Sequence, residues 1–202
     1  MMNGGNKKKK LSKDAILDQA KELFSKKGYS GTTINDLTSI FGVSKPSIYY
    51  YFKNKMEILL DLYLKGFNEA TKDLDALLAS NIPTKEKFRR ILELHTRNAI
   101  NDVKLQRIWY FDKMELPKSI SQEISRKRRE YTNRIISVFE QGIKEGMFKN
   151  LDPETAVYIL IGSCNWLIMW YSDKNKTYPN PEIIVQTLLE ILCEGYEVKT
   201  KP

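Results

Sequence analysis

The sequence predicts an all-α protein of about nine helices in two parts, a small three-helix unit near the N-terminus and a larger C-terminal helical bundle. Three observations carry this. Apolar residues recur at helical spacing through most of the chain, no run alternates apolar and polar residues between turn signals as a strand would, and proline is absent before Pro46. The chain has 202 residues, 42% of them hydrophobic, enough to bury a sizeable core.

The elements follow in order. Residues 1–10, "MMNGGNKKKK", have nothing to bury and are expected to form a flexible basic arm. The first helix starts after Ser12, an N-cap residue, and carries Ile16, Ala20, Leu23 and Phe24 on one stripe until Gly28 ends it. Thr33 caps a short second helix, with Asp36 three residues on in a capping-box arrangement and Leu37 and Ile40 expected to face inward. "FGVS" is the turn, and Ser44 then caps a third helix with Pro46 in its first turn, where a missing N–H costs little. Asn54 with Glu57 opens a long fourth helix, expected at 54–80, and further helices are expected at 83–100, 103–115, 118–146, 153–172 and 181–196. Asp152-Pro153 and Asn180-Pro181 are cap-plus-proline starts, and Gly195 is a stop.

Charge is unevenly spread. The net +8 divides into +6 for residues 1–60, from 11 Lys against 5 Asp/Glu, and +2 for the remainder, from 22 Lys/Arg against 20 acids. Basicity concentrated in the first third suits a phosphate-rich partner, although a membrane surface would also accept it. Cys164 and Cys193 lie in apolar helical runs, which fits a reducing, cytoplasmic setting better than a disulfide framework. The start of the chain is basic without an apolar segment, so no signal peptide is expected. The most apolar run, "AVYILIGSCNWLIMWY", is about four residues short of a membrane span and contains Asn165, so a buried helix is expected there and no membrane partner.

The stretch "GVSKPSIYYYFKNK" concentrates three tyrosines and a phenylalanine among lysines. Two short helices, a glycine-containing turn and a third element make up a helix-turn-helix. On the third helix Ile48 and Phe52 are four apart and share a face that can dock on Leu37, Ile40 and Val43. Lys45, Pro46 and Tyr49 fall on another face, with Ser47, Tyr50 and Tyr51 beside it. A tyrosine there offers a flat ring for sugar or thymine-methyl contact and a hydroxyl for phosphate, and lysine offers a point charge. Lys55, at the start of the next helix, stands where backbone N–H groups already favour anions. Packing of Tyr49 and Tyr51 against the long fourth helix is an equally good reading of those two residues taken alone.

Phe24, Gly28-Tyr29, Thr32-Thr33, Asp36-Leu37, Gly42 to Ser44, Tyr49, Phe52 and Lys55 reproduce in order and spacing the N-terminal domain of TetR-family transcriptional regulators. The resemblance covers about residues 12–60. It implies a helix-turn-helix DNA-binding domain over 11–55, a ligand-binding and dimerisation domain over 56–202, and a homodimer on a palindromic double-stranded DNA operator. With the residues above it yields a candidate DNA-contacting set of Thr33, Ser44, Lys45, Pro46, Ser47, Tyr49, Tyr50, Tyr51 and Lys55. Thr38 and Phe41 depart from the small residues usual in the family, which bears on how the two short helices pack.

Beyond residue 60, "GIKEGMF" and the segment from Asp152, with Asn165-Trp166 followed by Trp170-Tyr171, resemble the branch of the family that governs fatty-acid and sterol catabolism. That resemblance implies release from DNA by an acyl-CoA thioester. All eight arginines lie between Arg89 and Arg134, four of them in "RKRREYTNR". Arginine forks bind phosphate and stack on adenine, yet Glu123 and Glu130 can pair with these arginines at helical spacing, so a phosphate site and a solvated face both remain open. The candidate effector-binding residues are Trp109, Phe111, Arg128, Tyr131, Asn165, Trp166 and Trp170. Trp166 and Trp170 share a face and either line a cavity or enter the dimer seam. Ile184, Leu188, Ile191 and Leu192 repeat at i, i+4, i+7, i+8 and are the candidate dimer interface, the last two helices of each subunit forming a four-helix contact as is usual in the family.

An enzyme is not expected. The single histidine, His95, stands without a catalytic partner in its neighbourhood, and there is no phosphate-cradling glycine loop and no metal-ligand motif, so neither cofactor nor metal is expected. A basic helical module binding membranes or proteins would use the lysine arm but leave the capped short helices unexplained. Within the regulators, a multidrug-type repressor sensing cationic aromatic compounds is the alternative. It needs inward carboxylates, for which Glu93, Asp112 and Glu115 are the candidates.

Overall fold

The computed structural model describes residues 10–101, 103, 118–171 and 180–196. They form eight helices and no strand: α1 (Lys13–Lys27), α2 (Ile34–Phe41), α3 (Lys45–Tyr49), α4 (Lys55–Leu78), α5 (Thr84–Asn101), α6 (Lys118–Lys144), α7 (Pro153–Tyr171) and α8 (Pro181–Tyr196). Of the helix expected at 103–115, all but residue 103 lies outside the described residues.

Local chemistry sets the boundaries of the N-terminal helices. The Ser12 hydroxyl accepts from the N–H of Ala15 at 3.2 Å and starts α1. At α2 the capping box is complete: Thr33 Oγ1 accepts from the Asp36 N–H, and the Asp36 carboxylate accepts from the Thr33 N–H at 2.8 Å. Gly42 ends α2 at φ 63°, ψ 40°, the left-handed conformation that a Cβ would disfavour, and so turns the chain toward α3. Asn54 Oδ1 accepts from the Glu57 N–H at 2.9 Å to start α4, while the Glu57 carboxylate takes the N–H of Lys53, one residue earlier than a capping box would.

Two hydrophobic cores result. The N-terminal core holds Ile16, Leu17, Ala20 and Phe24 of α1, Leu37 and Phe41 of α2, Ile48 and Phe52, and Ile58, Leu59, Leu62 and Tyr63 of α4. It therefore continues past residue 55 into the first turns of α4. Ile40, expected to face inward, is exposed, and Phe41 takes the inward place, because the short α2 turns its C-terminal end so that the bulkier ring is buried. Thr38 bonds its hydroxyl back to the Asn35 carbonyl at 2.9 Å and stays at the edge of the packing.

The second core is built around α5, which packs against α4, α6, α7 and α8. Phe88, Phe139 and Phe148 meet at its centre with ring centroids 5.1 to 5.4 Å apart. Phe148 reaches this stack because the chain folds back after α6, where the N–H groups of Met147 and Phe148 both donate to the Gly142 carbonyl. A Cβ on Gly142 would overlap the Phe148 ring, so glycine is what lets the ring lie against the helix. Like α4, α6 serves both cores: its Ile124 is buried in the N-terminal core, whereas Tyr131, Ile135, Val138 and Phe139 of the same helix are buried in the C-terminal one.

Candidate nucleic-acid interface

The third helix divides its side chains between anchor and surface. Ile48 and Phe52 are buried in the N-terminal core, and Lys13 of α1 places its ammonium 5.4 Å from the centre of the Phe52 ring. On the other side Ser44, Lys45 and Pro46 are exposed, Tyr49 is 46% exposed and Tyr50 is 84% exposed. Ser47 is half-buried, and its hydroxyl lies 3.2 Å from that of Ser44, so these two hydroxyls pair with each other and Ser44 makes no side-chain cap. Tyr51 is half-buried against the core and stands edge-on to Tyr50, with centroids 5.1 Å apart at 89°. The five-residue α3 and the turn after it are thus held from below by aliphatic and aromatic packing and offer two tyrosine rings and a lysine outward.

At the start of α2, Thr33 is exposed, but its hydroxyl donates to Asp36 at 2.7 Å and accepts from the Asp36 N–H. The Asp36 carboxylate also takes a hydrogen bond from Lys27 Nζ at 2.7 Å. Lys27, then the Thr33 hydroxyl and N–H, hold its pKa well below the usual carboxylate range, so the group stays ionised and paired. This pairing offsets an anion that would otherwise stand beside Thr33.

Lys55 is placed differently from the expectation. Its ammonium is directed into the protein, donating to the carbonyls of Tyr29 at 2.6 Å and Thr32 at 2.8 Å, and lying 4.1 Å from the centre of the Tyr29 ring. The reason is geometric: the first turn of α4 passes beneath the turn between α1 and α2, whose carbonyls point at it. Lys53, which the sequence reading did not single out, is exposed just before α4. Its neighbour in the series, Lys45, is exposed as expected.

In the C-terminal core the polar groups gather where α5, α6 and α7 meet. His95 Nε2 lies 3.1 Å from Asn165 Oδ1, and the imidazole rests against the Tyr131 ring at 5.9 Å between centroids. An edge of His95 remains accessible, yet the imidazole is deep enough that burial, aided by the positive charge of Arg128, pushes its pKa down to about 4. The neutral ring is therefore the form present at neutral pH. Thr96 next to it is buried and donates to the Leu92 carbonyl at 2.7 Å. Burial pushes the Cys164 thiol up to about 11 and raises the Tyr131 hydroxyl still further, so neither ionises at neutral pH.

Of the candidate effector residues, Tyr131 and Asn165 thus come together and Arg128 acts on the same imidazole. Trp166 does not join them. It is 65% exposed, because α7 is apolar all round and turns Leu160, Ile161, Cys164 and Leu167 inward, leaving Trp166 on the opposite side. Trp109, Phe111 and the Trp170 side chain lie outside the described residues. Two arginines of the run are paired with carboxylates: Arg126 bonds Glu123 at 2.7 and 3.0 Å and also Glu130, and Arg134 bonds Asp75 of α4.

The expected dimer residues separate in the same way. Ile184 is 6% exposed and belongs to the C-terminal core of the chain, with Leu188 and Leu192 packed beside it, whereas Ile191 is 70% exposed. The regular i, i+4, i+7, i+8 stripe faces inward, apart from Ile191, and the outward face of α8 adds Ile183, which the sequence reading missed. On α7 the outward face carries Tyr158, Ile159 and Trp166. Gly162 lies between Ile159 and Trp166 with open space where a Cβ would be.

A short helix held on a hydrophobic base, with tyrosine and lysine outward and a long helix leading to a separate bundle, defines the helix-turn-helix regulator class. Comparison with known proteins gives the same class. Residues 16–62 match the bacterial regulatory proteins of the tetR family, and residues 81–195 match the tetracyclin repressor-like C-terminal domain. The chain belongs to the TetR family of transcriptional regulators. Among curated relatives, the fatty acid metabolism regulator protein of Bacillus subtilis is 23% identical over 185 residues, spanning 91% of this chain and 95% of that protein. A regulator of the TetR/AcrR family from Thermobifida fusca has the same fold with a TM-score of 0.75 at 27% identity, over 92% of this chain and 98% of its own. The regulator FadR from Bacillus subtilis in complex with stearoyl-CoA has a TM-score of 0.76 at 22% identity, over 91% and 99% of the two chains, a likeness of fold.

Proposed function

We propose that this regulator binds a palindromic operator as a homodimer, presents α3 to the major groove, and is released by a small apolar effector of the acyl-CoA class. Repression by operator occupancy is the mode proposed, in the cytoplasm where the DNA is, with no catalytic step. The observation that carries the DNA contact is the division of α3 and the turn after it: Ile48 and Phe52 are fixed in the core while Lys45, Tyr49 and Tyr50 are free of it. Pro46 and Ser47 border this surface, and Thr33 approaches from α2.

A second copy of the chain is supported by apolar area left uncovered on the last two helices. Ile159 is 62% exposed and Trp166 and Ile191 more so, more bulk than isolated surface residues account for. Packing these faces across a twofold axis sets the two α3 helices about one duplex turn apart, roughly 34 Å. The acyl-CoA reading draws on the fatty acid regulator of Bacillus subtilis and on the FadR fold, together with an apolar core whose polar groups, His95, Asn165 and Tyr131, are neutral. A cationic aromatic effector draws no support from Glu93, which is bonded to Arg97 at 2.9 Å, and its other candidate carboxylates, Asp112 and Glu115, lie outside the described residues.

The test begins with duplexes selected by this protein from a random-sequence pool, bound in competition with a scrambled duplex. Binding should fall steeply with salt. Long-chain acyl-CoA should release the selected duplex while the free fatty acid and a cationic dye do not. Replacing Lys45 and Tyr49 together by Ala should abolish selection and leave the dimer intact in sedimentation. Trp166→Asp with Ile191→Asp should give a folded monomer that no longer holds the palindrome. Normal selection by the first pair would sink the DNA assignment, and an unchanged sedimentation mass for the second would sink the dimer assignment.

A further inference from the structure

The ammonium of Lys55 closes a ring around the helix-turn-helix. Its two carbonyl partners, Tyr29 and Thr32, lie in the turn that leads into α2, and Lys55 itself is the first residue of α4. Between the bonded residues, 23 apart along the chain for Thr32, lie the whole of α2, the Gly42 turn and α3. The turn that receives the ammonium is itself formed: Thr32 donates its N–H to the Tyr29 carbonyl at 3.2 Å and its hydroxyl to the Gly28 carbonyl at 2.9 Å. Tyr29 is in turn seated on Phe24 of α1, with centroids 5.4 Å apart. The lysine therefore pins one rigid turn to the end of a rigid helix.

A lysine ammonium has three donors and no acceptor. Here two donors are bonded to carbonyls and the charge lies over an aromatic face, so reaching a phosphate would mean abandoning two charge-assisted bonds and a cation–π contact. We infer that Lys55 is a positioning residue for DNA recognition, an internal clamp that fixes the entry of α2 and the exit of α3 relative to each other, and that it makes no contact with the DNA itself. The inference rests on the DNA-binding reading above. Its physical content is preorganisation: closing the loop at its ends removes freedom that operator binding would otherwise have to remove.

The clamp separates from a phosphate contact by what it does to specificity and to salt dependence. Lys55→Met is measured beside Lys45→Met, each well below its own melting temperature, on the selected duplex and on the scrambled one. For Lys55→Met the affinity for the selected duplex should fall about tenfold or more through lost preorganisation, with the scrambled duplex held within about twofold. The slope of log affinity against log salt should stay as in the wild type. Lys45→Met, losing a phosphate contact, should weaken both duplexes and reduce that slope by about 0.9. Hydrogen exchange of the α2 amides should quicken in Lys55→Met and not in Lys45→Met, a change that lost overall stability alone would spread over every helix.

The same slope reduction in Lys55→Met, with both duplexes weakened alike, would overturn the inference in favour of a phosphate contact. Unchanged affinities for both would also overturn it. Should Lys55→Met fail to fold, Lys55→Arg decides. It keeps the charge, but the guanidinium is bulkier and fixes its N–H directions in one plane, so it does not fit the site where the compact ammonium meets two carbonyls and a ring face. The clamp predicts selective loss and a phosphate contact predicts retention. If the wild-type chain selects no duplex, the DNA-binding reading fails and the inference with it, while faster α2 exchange in Lys55→Met would mark the clamp as a feature of the fold alone.

Discussion

At the scale of single residues, His95 shows how position changes a group's chemistry. A lone histidine on a helix reads as a surface or packing residue, and the structure places it in packing, with Asn165 as its partner and Tyr131 beneath it. Burial makes protonation costly, which links it to stability. Its pKa in the folded chain, about 4, is below the ordinary 6.5, so the unfolded chain takes up the proton first as pH falls. The stabilising contribution of the neutral ring is therefore whole above about pH 6.5 and is lost as pH falls toward 4, at up to about 1.4 kcal/mol per pH unit. His95→Gln, which keeps a partner for Asn165 and cannot titrate in this range, should show a smaller drop in melting temperature between those two pH values. Parallel melting curves for the two proteins would mean that the imidazole is not the group responsible.

At the scale of elements, most of what forms each helix acts within a turn of it. The starts at Ser12, Thr33 and Asn54 are each completed by a backbone N–H three residues on. At the second-last connection the Asp152 carboxylate accepts from the Thr155 N–H at 2.8 Å, and at the last Asn180 Oδ1 accepts from the Glu182 N–H at 2.9 Å. The return after α6 depends on a longer contact. Phe148 lies on Gly142 and completes the stack with Phe88 and Phe139. Gly142→Ala should destabilise the protein by about 1–3 kcal/mol, the usual cost of overpacking, since the ring must leave its place. Urea unfolding would measure this, and Phe148→Leu placed in the same chain should recover part of the loss. No recovery would show that the cost arises elsewhere.

At the scale of the whole molecule, the two cores are joined by shared helices. The first turns of α4 belong to the N-terminal core, and Leu74 near its end belongs to the other. Two ion pairs, Lys13–Asp61 at 2.6 Å and Lys65–Asp14 at 2.9 Å, bind α1 to the side of α4. These are exposed and add little stability singly. The buried link is Ile124, through which α6 enters the N-terminal core while its later turns pack in the C-terminal one. Ile124→Ala should cost about 2–5 kcal/mol. Hydrogen exchange should then quicken in α1 as well as α6, although α1 lies on the far side of the chain in sequence. Faster exchange confined to α6 would mean that the two cores are not coupled through this residue.

The sequence by itself determined the helical class, the helix-turn-helix and the starts of α1, α2 and α4, because caps, glycine turns and periodic apolar residues act over one turn of chain. Ser44, expected to cap α3, makes no cap bond, and α3 ends at Tyr49, before Phe52. The sequence also put Ile48 and Phe52 in the base and Lys45 on the surface, since they differ in the energy of burial, whereas Tyr49, which could equally have packed on α4, was settled by the tertiary structure. Tertiary structure alone decided the matters on which local chemistry is silent. In α7 nearly every side is apolar, so periodicity could not tell the buried Leu167 from the exposed Trp166 beside it. In α8 the apolar stripe could be read as dimer seam or as core until packing put Ile184 inside and left Ile183 and Ile191 outside. The direction of the Lys55 ammonium was likewise settled by carbonyls 23 and 26 residues away, whose approach is a product of packing.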